Sequence, residues 1–385
     1  MTGSDKAVPV LRAAVVGGSL GGLAAAHELR SIGAEVAVYE RSVGRTDPRG
    51  AGIVMQPEVA SLLARLDRTV PSVSVQLMER QQLHRSSHPT RHYAPQWMSA
   101  WDTLYEALRA PLGDVCMRLD STLTDLRAGA DGVTAEFGDG YTTTADLVVG
   151  ADGIGSATRR ILTGRDDLQY SGYVAFRGLE PESTLPGHLR DLLAERFTSF
   201  AVPGMQMLCY LVPGERGATE RRVNWVWYVN TAAARLPGLL TGRSGHRFDF
   251  FLPPGELDAE SRDALMDLVD RTLPEPFAEL VRLSAVFMQP VFDLPPTGMV
   301  GDRVVLLGDA AGTVRPHTAS GTSKALGDAA ELADALRGWR RDEPLPRERL
   351  QAWEADRLGH LRAVADVGVR LAAHSSLGVD APAFL

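Results

Sequence analysis

Residues 11–41 read LRAAVVGGSLGGLAAAHELRSIGAEVAVYER. The segment Leu11–Val16 is mostly apolar, as buried parallel strands are, and the small residues of Gly21–Arg30 are typical of a helix packed closely on a sheet. Gly33 ends this helix, and the alternating, β-branched segment Glu35–Arg41 predicts a second strand. A strand, a helix and a strand within about thirty residues predict one βαβ unit, the geometry of dinucleotide-binding sites.

The turn between the first strand and the helix is Gly17-Gly18-Ser19-Leu20-Gly21-Gly22. It meets the pattern GxGxxG at Gly17 and Gly22, while Ser19 replaces the middle glycine. Gly17 makes the tight turn, Gly22 lets the helix approach the strand, and serine is small enough to let the backbone come near a diphosphate. The start of the helix then offers unpaired amide donors and a partial positive charge to the phosphates.

Two charged residues follow at the end of the second strand. Glu40 lies where a carboxylate accepts hydrogen bonds from the ribose of an adenosine, and its charge repels a 2'-phosphate. It therefore favours FAD or NAD over NADP. Arg41 is either a surface charge or a group that stacks on adenine.

Two further turns follow predicted buried strands later in the chain. Asp152-Gly153 comes after the segment Ala145–Gly150, and Gly308-Asp309 comes after Arg303–Leu307. Asp152 is either a helix cap or a residue that serves the nucleotide. Asp309 is a strand-end carboxylate in apolar surroundings, so it needs hydrogen-bond donors such as those of a polyol.

The other segments predict a second layer and several helices. Short alternating segments between glycine and proline turns predict a mostly antiparallel sheet over Ser72–Met98, Tyr173–Leu179, Arg196–Val202, Met205–Val212 and Val223–Asn230. Apolar periodicity predicts further helices over Pro57–Leu66, Thr103–Ala110, Leu257–Leu273, Glu275–Leu283, Gly321–Trp339 and Glu348–His374. The stretch from Arg41 to Ile53 is predicted to be loop.

The bulk composition argues against several classes of protein. The 385 residues exceed the size at which one core usually stops growing, which predicts two domains. A net charge of −8 without a run of lysine or arginine argues against nucleic acid as a partner. No window approaches the roughly 18 apolar residues of a membrane span, and Met1–Val10 leaves no room for a signal peptide, so we expect a cytoplasmic protein. Cys116 and Cys209 have no metal-ligand spacing, and no metal site is indicated.

The second and third turns resemble two fingerprints of a known family. The pattern GADGxxSxxR is met at Asp152, Ser156 and Arg159, and Gly308-Asp309 opens the other fingerprint. Over essentially its whole length the chain resembles the class A flavoprotein monooxygenases, the para-hydroxybenzoate hydroxylase-like family. The resemblance implies that Asp309 binds the ribityl hydroxyls of FAD. It also implies that the helix from Gly321 directs its amino terminus at the pyrimidine edge of the ring, where it stabilises the negative charge of reduced flavin.

Further matches point to one branch of the family, and some positions depart from its usual pattern. The matches are Gly52-Ile53-Val54 with Gln56-Pro57-Glu58, Gly172-Tyr173-Val174 with Arg177-Gly178, and Arg315-Pro316-His317 with Ala319, Gly321 and Lys324-Ala325. Most of the family reads PxxGQGxNxAxEDA after the third turn, whereas this chain has Ala319, Ser320, Ser323 and Gly327 in place of Gly, Gln, Asn and Glu. Trp101 stands where many relatives carry an arginine near the cofactor, so positive charge for the phosphates must come from elsewhere.

The fold class that follows is α/β. We expect a Rossmann-like FAD-binding domain with a parallel sheet, an interleaved, mostly antiparallel β-sheet substrate domain, and a C-terminal helix. Residues 1–71, 99–170 and 291–385 are assigned to the FAD-binding domain. Residues 72–98 and 171–290 are assigned to the substrate domain.

The resemblance implies an FAD-dependent and NAD(P)H-dependent monooxygenase that hydroxylates a phenolic or hydroxylated N-heteroaromatic ring through a flavin hydroperoxide. NADH or NADPH would reduce FAD transiently, without a second nucleotide-binding domain. The alternatives are a biosynthetic flavin monooxygenase that carries out epoxidation or decarboxylative hydroxylation, and a non-catalytic FAD-binding module. The expected partners are a small aromatic substrate and dioxygen, with no nucleic acid, no membrane and a possible homodimer.

Four residues are candidates for the substrate side. His317, placed by Pro316 at the reactive edge of the flavin, either polarises or deprotonates a ring hydroxyl near neutral pH or is a structural histidine. Tyr228 and Trp227 alternate along one strand, so only one of them can face the pocket. Arg177 either binds an anionic substrate or pairs with a neighbouring acid. The predicted cofactor-binding residues are Gly17, Ser19, Leu20, Gly22, Glu40, Arg41, Gly52, Gln56, Asp152, Asp309, Ala319, Gly321 and Thr322.

Overall fold

A computed structural model of the chain describes residues 10–42, 52–113, 117–129, 132–215, 218–296, 298–378 and 383–385. Residues 43–51, which are part of the predicted loop, and Cys116 lie outside these residues.

The described residues form two large sheets, one small sheet and the helices that cover them. The strands are β1 (Arg12–Val16), β2 (Glu35–Tyr39), β3 (Gly52–Val54), β4 (Val75–Gln82), β5 (Thr90–Ala100), β6 (Met117–Arg118), β7 (Leu123–Gly129), β8 (Gly132–Phe137), β9 (Thr142–Ala145), β10 (Leu147–Gly150), β11 (Gln169–Pro181), β12 (Arg196–Val202), β13 (Met205–Val212), β14 (Arg222–Asn230), β15 (Phe287–Asp293) and β16 (Val304–Leu306). The α-helices are α1 (Leu20–Ser31), α2 (Pro57–Arg65), α3 (Trp101–Arg109), α4 (Ala157–Thr163), α5 (Gly187–Leu193), α6 (Leu236–Leu239), α7 (Ala259–Thr272), α8 (Glu275–Leu283), α9 (Gly321–Leu336) and α10 (Arg347–His374).

The first sheet has five parallel strands in the order β16-β10-β1-β2-β6. Parallel neighbours need crossover connections, so such a sheet is covered on both faces and its strands are continuously apolar. Strands β1, β2, β10 and β16 all end at one edge, and the turns that follow them therefore lie close together. This sheet confirms the predicted Rossmann-like architecture.

The second sheet has eight strands in the order β15-β11-β14-β13-β12-β4-β5-β3. Its neighbours are antiparallel except for β12 and β4, which run parallel. Because its strands come from separate stretches of the chain, the prediction of an interleaved, mostly antiparallel layer is confirmed. The assigned domain boundaries stay a prediction. Gly52 and Ile53, which we predicted to be loop, instead form β3, because they pair with Ala100 and Ser99 at the edge of this sheet.

Helices α1 and α9 pack in the hydrophobic core on one face of the parallel sheet. The apolar face predicted for α9 is buried and comprises Ala325, Leu326, Ala329, Leu332, Ala333 and Leu336. The small sheet β7-β8-β9 covers the opposite face, where Phe137 stacks on Tyr39 with ring centres 4.6 Å apart. The 28-residue helix α10 confirms the predicted C-terminal helix.

Candidate active site

The glycine-rich turns meet at the carboxyl edge of the parallel sheet. Gly17 follows β1 with a φ of +104°, and a Cβ placed there would lie 2.4 Å from the carbonyl oxygen of Ala151 in the second turn. A Cβ at Gly22 would lie 1.9 Å from the carbonyl oxygen of Gly17. A side chain at either position would force these backbones apart, so both positions require glycine.

A cavity of about 690 Å³ opens over these turns, and we call it the Gly17 cavity. Helix α1 begins at its wall. Ser19, the residue before the helix, lines the cavity and makes no side-chain cap hydrogen bond, and the first turn of α1 holds no acidic residue. The amide donors and the positive end of α1 are therefore available to an anionic ligand. The Leu20 side chain instead lies in the hydrophobic core, which leaves only its backbone for a ligand.

The Glu40 carboxylate lies on the wall of the Gly17 cavity and is held by neighbouring donors. The Gly18 amide donates to Oε2 at 2.7 Å, and the amide and hydroxyl of Ser42 donate to Oε1 at 2.9 and 2.8 Å. Since each carboxylate oxygen accepts more than one hydrogen bond, this arrangement leaves Glu40 able to accept from a sugar hydroxyl. Arg41, which is exposed, lines the same cavity.

The Asp152 carboxylate is hydrogen-bonded to residues at the start of α4. It accepts hydrogen bonds from the Ser156 hydroxyl at 2.5 Å and from the amide and hydroxyl of Thr158 at 3.0 and 3.1 Å. Of the two roles considered for Asp152, this geometry favours the structural one. On the same helix, Arg159 donates to the carbonyl oxygen of Ala310 at 3.3 Å and thereby ties the second turn to the third.

Asp309 lies on the walls of three neighbouring cavities. It lines the Gly17 cavity, a smaller cavity of about 220 Å³ that we call the junction, and a third of about 640 Å³ that we call the His317 cavity. The surrounding protein raises the pKa of Asp309 by desolvation, although its side chain is exposed to these cavities, while the Lys324 ammonium lowers this pKa and Asp328 raises it. No described residue donates a hydrogen bond to this carboxylate. Its position and its free acceptors therefore suit a ligand that carries several hydroxyl donors.

The sequence reasoning missed a buried group of charges beside Asp309. Lys324 Nζ donates to the carbonyl oxygen of Gly308 at 2.7 Å, and the Gly308 amide donates to Asp328 at 3.0 Å. Arg357 of α10 donates to the other oxygen of Asp328 at 2.8 Å. These side chains are almost fully buried and hold the turn that carries Asp309. The available signal was a lysine and an aspartate four residues apart on the otherwise apolar face of α9.

The His317 cavity lies between the second sheet and the segment that follows the third turn. The predicted site residues on its wall are Gly52, Gln56, Arg177, Tyr228, Asp309, Pro316, His317, Ala319, Gly321 and Thr322. The structure thus brings residues from distant parts of the sequence to one cavity. Their roles toward a cofactor or substrate stay predictions.

Both ring nitrogens of His317 have protein partners. Tyr173 donates its hydroxyl to Nε2 at 3.0 Å, and Nδ1 donates to the amide oxygen of Gln206 at 3.0 Å, since an amide oxygen only accepts. Burial and the nearby Arg315 lower the pKa of His317 to about 4. His317 is therefore neutral at neutral pH. Of its two predicted roles, this geometry favours a structural, positioning histidine over a base that works near neutral pH.

Gln56 connects α2 to the segment around Ala319. Its Nε2 donates to the carbonyl oxygen of Ala319 at 3.0 Å, and its Oε1 accepts from the Ser323 hydroxyl at 2.5 Å. Ala319 has a φ of +53° and lies in the left-handed region, where a residue with a Cβ is strained by about 1 kcal/mol relative to glycine. The position at which the family resemblance expects glycine is thus one where the backbone favours it.

Tyr228 and Trp227 lie on opposite faces of β14. Tyr228 lines the His317 cavity, and its ring centre lies 4.6 Å from that of His317. Trp227 is fully buried in the core of the second sheet. Arg177 of β11 borders both the junction and the His317 cavity, and no described acid pairs with it.

Residues 246–251 form a wall of the Gly17 cavity that sequence reasoning did not predict. Arg247 of this segment lines the cavity together with Arg41 and with Arg160 of α4. These three cations surround a cavity in which Trp101 occupies the place of the arginine expected from the family resemblance. No local pattern marks residues 246–251, because they belong to a connection in the second layer of the fold.

Two features are absent from the part of the chain that the structure describes. No helix in it is both long and apolar enough to cross a lipid bilayer. No cluster of three or more histidine, cysteine, aspartate or glutamate side chains in it is arranged to hold a metal ion.

Two families match adjoining parts of the chain. Residues 9–172 match the family described as FAD binding domain. Residues 170–293 match the family described as FAD binding domain-like. The first match covers the Gly17 turn, β10 and Asp152, and the second covers most of the eight-stranded sheet.

Individual relatives cover nearly the whole chain. The 2,6-dihydroxypyridine 3-monooxygenase of Paenarthrobacter nicotinovorans is 32% identical over 381 residues, which cover 97% of this chain and 94% of that enzyme. The solved structure of 2,6-dihydroxypyridine-3-hydroxylase from Arthrobacter nicotinovorans has a TM-score of 0.90 at 30% identity, and the match covers 98% of this chain and 95% of that one. The 6-hydroxynicotinate 3-monooxygenase of Bordetella bronchiseptica is 27% identical over 352 residues, 83% of this chain and 81% of that enzyme. Gly172-Tyr173-Val174 and Arg315-Pro316-His317 pointed to one branch of the family, and the similarity to the dihydroxypyridine enzyme confirms that branch.

Proposed function

The chain belongs to the class A flavoprotein aromatic monooxygenases, and we propose that it hydroxylates a phenolic or hydroxylated N-heteroaromatic ring with FAD, NADH or NADPH, and dioxygen. Two relatives are named as 3-monooxygenases of 2,6-dihydroxypyridine and of 6-hydroxynicotinate. These names support ring hydroxylation over epoxidation, decarboxylative hydroxylation or a non-catalytic FAD-binding module.

The observation that carries the proposal is the position of Asp309. Its carboxylate, free of protein donors among the described residues, lies where the Gly17 cavity, the junction and the His317 cavity meet. A flavin dinucleotide has a diphosphate at one end, a polyol in the middle and an aromatic ring at the other. That order matches an open helix amino terminus, an unpaired carboxylate and a cavity with an aromatic wall.

Bound FAD supplies the redox chemistry, since it accepts reducing equivalents from a nicotinamide and activates dioxygen. The chain's own groups would bind and orient it. The amino terminus of α1 would hold the diphosphate, Glu40 the adenosine ribose, and Asp309 the ribityl hydroxyls. Gly321 and Thr322 begin α9 on the wall of the His317 cavity, so the positive end of this helix would face the flavin ring.

The part of the His317 cavity that the flavin ring leaves free would hold the substrate. Its wall includes the aromatic side chains of Tyr210 and Tyr228 and the apolar side chains of Leu208 and Val226. Burial raises the pKa of both tyrosines, which therefore stay protonated at neutral pH. A cavity of this kind stacks against an aromatic ring and excludes water, which protects an activated oxygen species from unproductive decay.

A turnover screen tests the proposal. The FAD-loaded protein is incubated with NADH or NADPH, labelled dioxygen and a panel of phenols, hydroxypyridines and hydroxybenzoates, starting with 2,6-dihydroxypyridine. We expect one chemical class to stimulate nicotinamide oxidation and to yield a ring product that has gained one labelled oxygen atom. The proposal fails if no ring in the panel stimulates oxidation or gains label.

Other features remain predictions from the sequence. They are the domain boundaries, a homodimer and a cytoplasmic location. Glu40 would contact the adenosine of bound FAD and would not contact the nicotinamide reductant. Its charge therefore does not distinguish NADH from NADPH, and both are included in the screen.

A further inference from the structure

Arg177 is a cation on the shared wall of the junction and the His317 cavity. On β11 its backbone pairs with Val226 of β14 and Phe287 of β15, in the interior of the eight-stranded sheet. Its side chain borders the junction and the His317 cavity, the two cavities that also share Asp309. Any ligand that fills the His317 cavity therefore meets this guanidinium.

The guanidinium has no hydrogen bond or ion pair with a described residue, and its Nε atom is buried without an acceptor. Other largely buried arginines of this chain are paired with carboxylates. Arg222 lies 2.7 Å from Asp102, and Arg315 lies 2.7 Å from Asp293. A buried N–H group without an acceptor is unfavourable, so a partner for Arg177 is expected to come from a ligand.

The groups around Arg177 leave its charge uncompensated. The titratable and charged side chains that share its cavities are Arg80, Tyr210, Tyr228, Asp309, His317 and His374. The tyrosines are neutral, and Arg177 acts on them as a cation that lowers their pKa against the effect of burial. Asp309 is the carboxylate on the shared wall, but the cation that acts on its pKa is Lys324.

His317 is not arranged to take a proton from a ring hydroxyl of the substrate. Electrophilic oxygen reacts faster with a ring whose hydroxyl is ionised, and the ring must lose a proton to reach that form. His317 is neutral, its Nδ1 carries the proton, and Tyr173 donates to its Nε2. A nearby guanidinium favours ionisation directly, because an opposite charge stabilises the anionic form.

We infer that Arg177 binds the oxyanion of an ionised ring hydroxyl, so that the His317 cavity selects acidic phenols or hydroxypyridines and holds them as anions. The inference rests on the proposed hydroxylase function. The step is a simple ionisation. The ring O–H bond breaks, its electron pair stays on oxygen, the proton passes to solvent, and nothing is oxidised or reduced in this step.

Ligand binding to the FAD-loaded protein tests this inference without turnover. Phenol, 4-fluorophenol and 4-cyanophenol form a series of increasing acidity, and anisole and 4-cyanoanisole are matched ethers that cannot ionise. Dissociation constants are measured in the absence of nicotinamide from the perturbation of the flavin absorbance. We expect the wild-type protein to bind the phenols more tightly as their acidity rises. Arg177→Gln should weaken binding of 4-cyanophenol by about 10- to 100-fold and change binding of the ethers by less than about threefold.

A second variant and a matched control keep the result interpretable. Arg177→Lys keeps the positive charge but lacks the planar donors of a guanidinium. Its affinity for the phenols should therefore still rise with their acidity, but less steeply than in the wild type. Arg80→Gln removes another cation of the same cavity, but Arg80 already donates to Gln96 at 3.0 Å and lies over the ring of Phe197. We therefore expect the affinity of Arg80→Gln for the phenols to rise with their acidity as it does in the wild type.

Several outcomes would overturn the inference. It fails if Arg177→Gln binds the phenols with wild-type affinity, or if Arg80→Gln is the variant that loses the dependence on acidity. It also fails if benzoate, which has a carboxylate and no hydroxyl, is the only ligand that depends on Arg177. If Arg177→Gln loses FAD but keeps the ligand preference after FAD is restored, the guanidinium serves the cofactor instead.

The failure of the inference can be told from the failure of the proposed function. If labelled oxygen enters no ring, the proposed function fails whatever Arg177 binds. If the wild type forms labelled products while its affinity for phenols ignores acidity, the function stands and the inference fails.

Discussion

The Gly17 cavity and the His317 cavity lie on either side of Asp309, but the chain builds them in different ways. The Gly17 cavity is built over backbone turns at the edge of a parallel sheet, where a Cβ at Gly17 or Gly22 would collide with neighbouring carbonyl groups. Side chains such as Glu40, Arg160 and Arg247 complete its wall. The His317 cavity is made of side chains that project from the strands of a mostly antiparallel sheet.

This difference explains what each cavity can recognise. A diphosphate and a sugar are the same in every FAD molecule, so amide donors and one or two carboxylates suffice to bind them. A substrate differs from enzyme to enzyme, and alternate residues of a strand can change without disturbing the sheet. The first cavity therefore depends on local turns, and the second depends on residues such as Tyr173, Gln206 and Tyr228 that only the fold brings together.

The largest effect on stability should come from Gly22→Ala, which disrupts the close backbone packing beneath the Gly17 cavity. The new Cβ would lie 1.9 Å from the carbonyl oxygen of Gly17, so α1 must move away from β1. We expect a loss of about 3 kcal/mol in the free energy of unfolding, together with weakened FAD binding. Denaturant titration and flavin content measure the two effects. Gly359→Ala is the matched control, because this exposed glycine of α10 has nothing within 4 Å of its Cβ position and should gain stability.

Asp309→Ala should have the next largest effect and test the point where the two cavities meet. Removing the carboxylate removes its hydrogen bonds to the ribityl hydroxyls, so we expect roughly 100-fold weaker FAD binding with the fold retained. Quenching of flavin fluorescence measures the dissociation constant. Asp302→Ala removes an exposed acid from a surface pair with Arg347 and should leave FAD binding unchanged. An Asp309→Ala protein with wild-type affinity for FAD would show that the carboxylate does not hold the cofactor.

His317→Asn should alter how stability depends on pH. The pKa of His317 is about 4 in the folded protein and near 6.5 in an unfolded chain, so the unfolded state takes up more protons between these values. Stability should fall as the pH drops through this window, by about 2 kcal/mol for this residue, and His317→Asn should remove that part of the loss. Unfolding free energies at pH 4.5 and pH 7 measure it. His360→Asn, on the exposed face of α10, should keep the wild-type slope, and an equal slope in His317→Asn would contradict the buried neutral histidine.

Ala319→Gly should have the smallest effect and the opposite sign. Ala319 has a φ of +53°, so glycine should relieve strain and raise the free energy of unfolding by about 1 kcal/mol. Thermal or denaturant unfolding of the FAD-free protein measures the change. The same substitution at Ala352, an exposed position inside α10, should instead lower stability by about 1 kcal/mol. A loss of stability in Ala319→Gly would mean that the left-handed conformation carries no strain.

Most of the fold could be predicted from the sequence because its main elements carry strong local patterns. The apolar strands of the parallel sheet and the periodic apolar face of α9 are examples. Strand β3 could not be predicted in this way. It is only three residues long, and it exists because Gly52 and Ile53 meet the end of β5, which no local pattern reveals.

The candidate site was predictable to the extent that backbone geometry defines it. The turns at Gly17, Asp152 and Asp309 could be located, and the contact of Asp152 with the start of α4 agrees with the helix-cap role that was one of its two predicted roles. The engagement of both His317 nitrogens with protein could not be predicted, because it depends on three-dimensional proximity. So does the isolation of Arg177, because the absence of an acid near a side chain leaves no mark in the sequence.

The most direct test of the account is a titration of FAD-free protein with FAD, since the account depends on distant turns that converge on one flavin dinucleotide. Binding is followed by flavin absorbance and fluorescence. We predict uptake of one FAD per chain by wild-type protein, with the absorbance of the bound flavin changed further by an aromatic ligand. A chain that is isolated colourless and takes up no FAD under mild conditions would contradict the account.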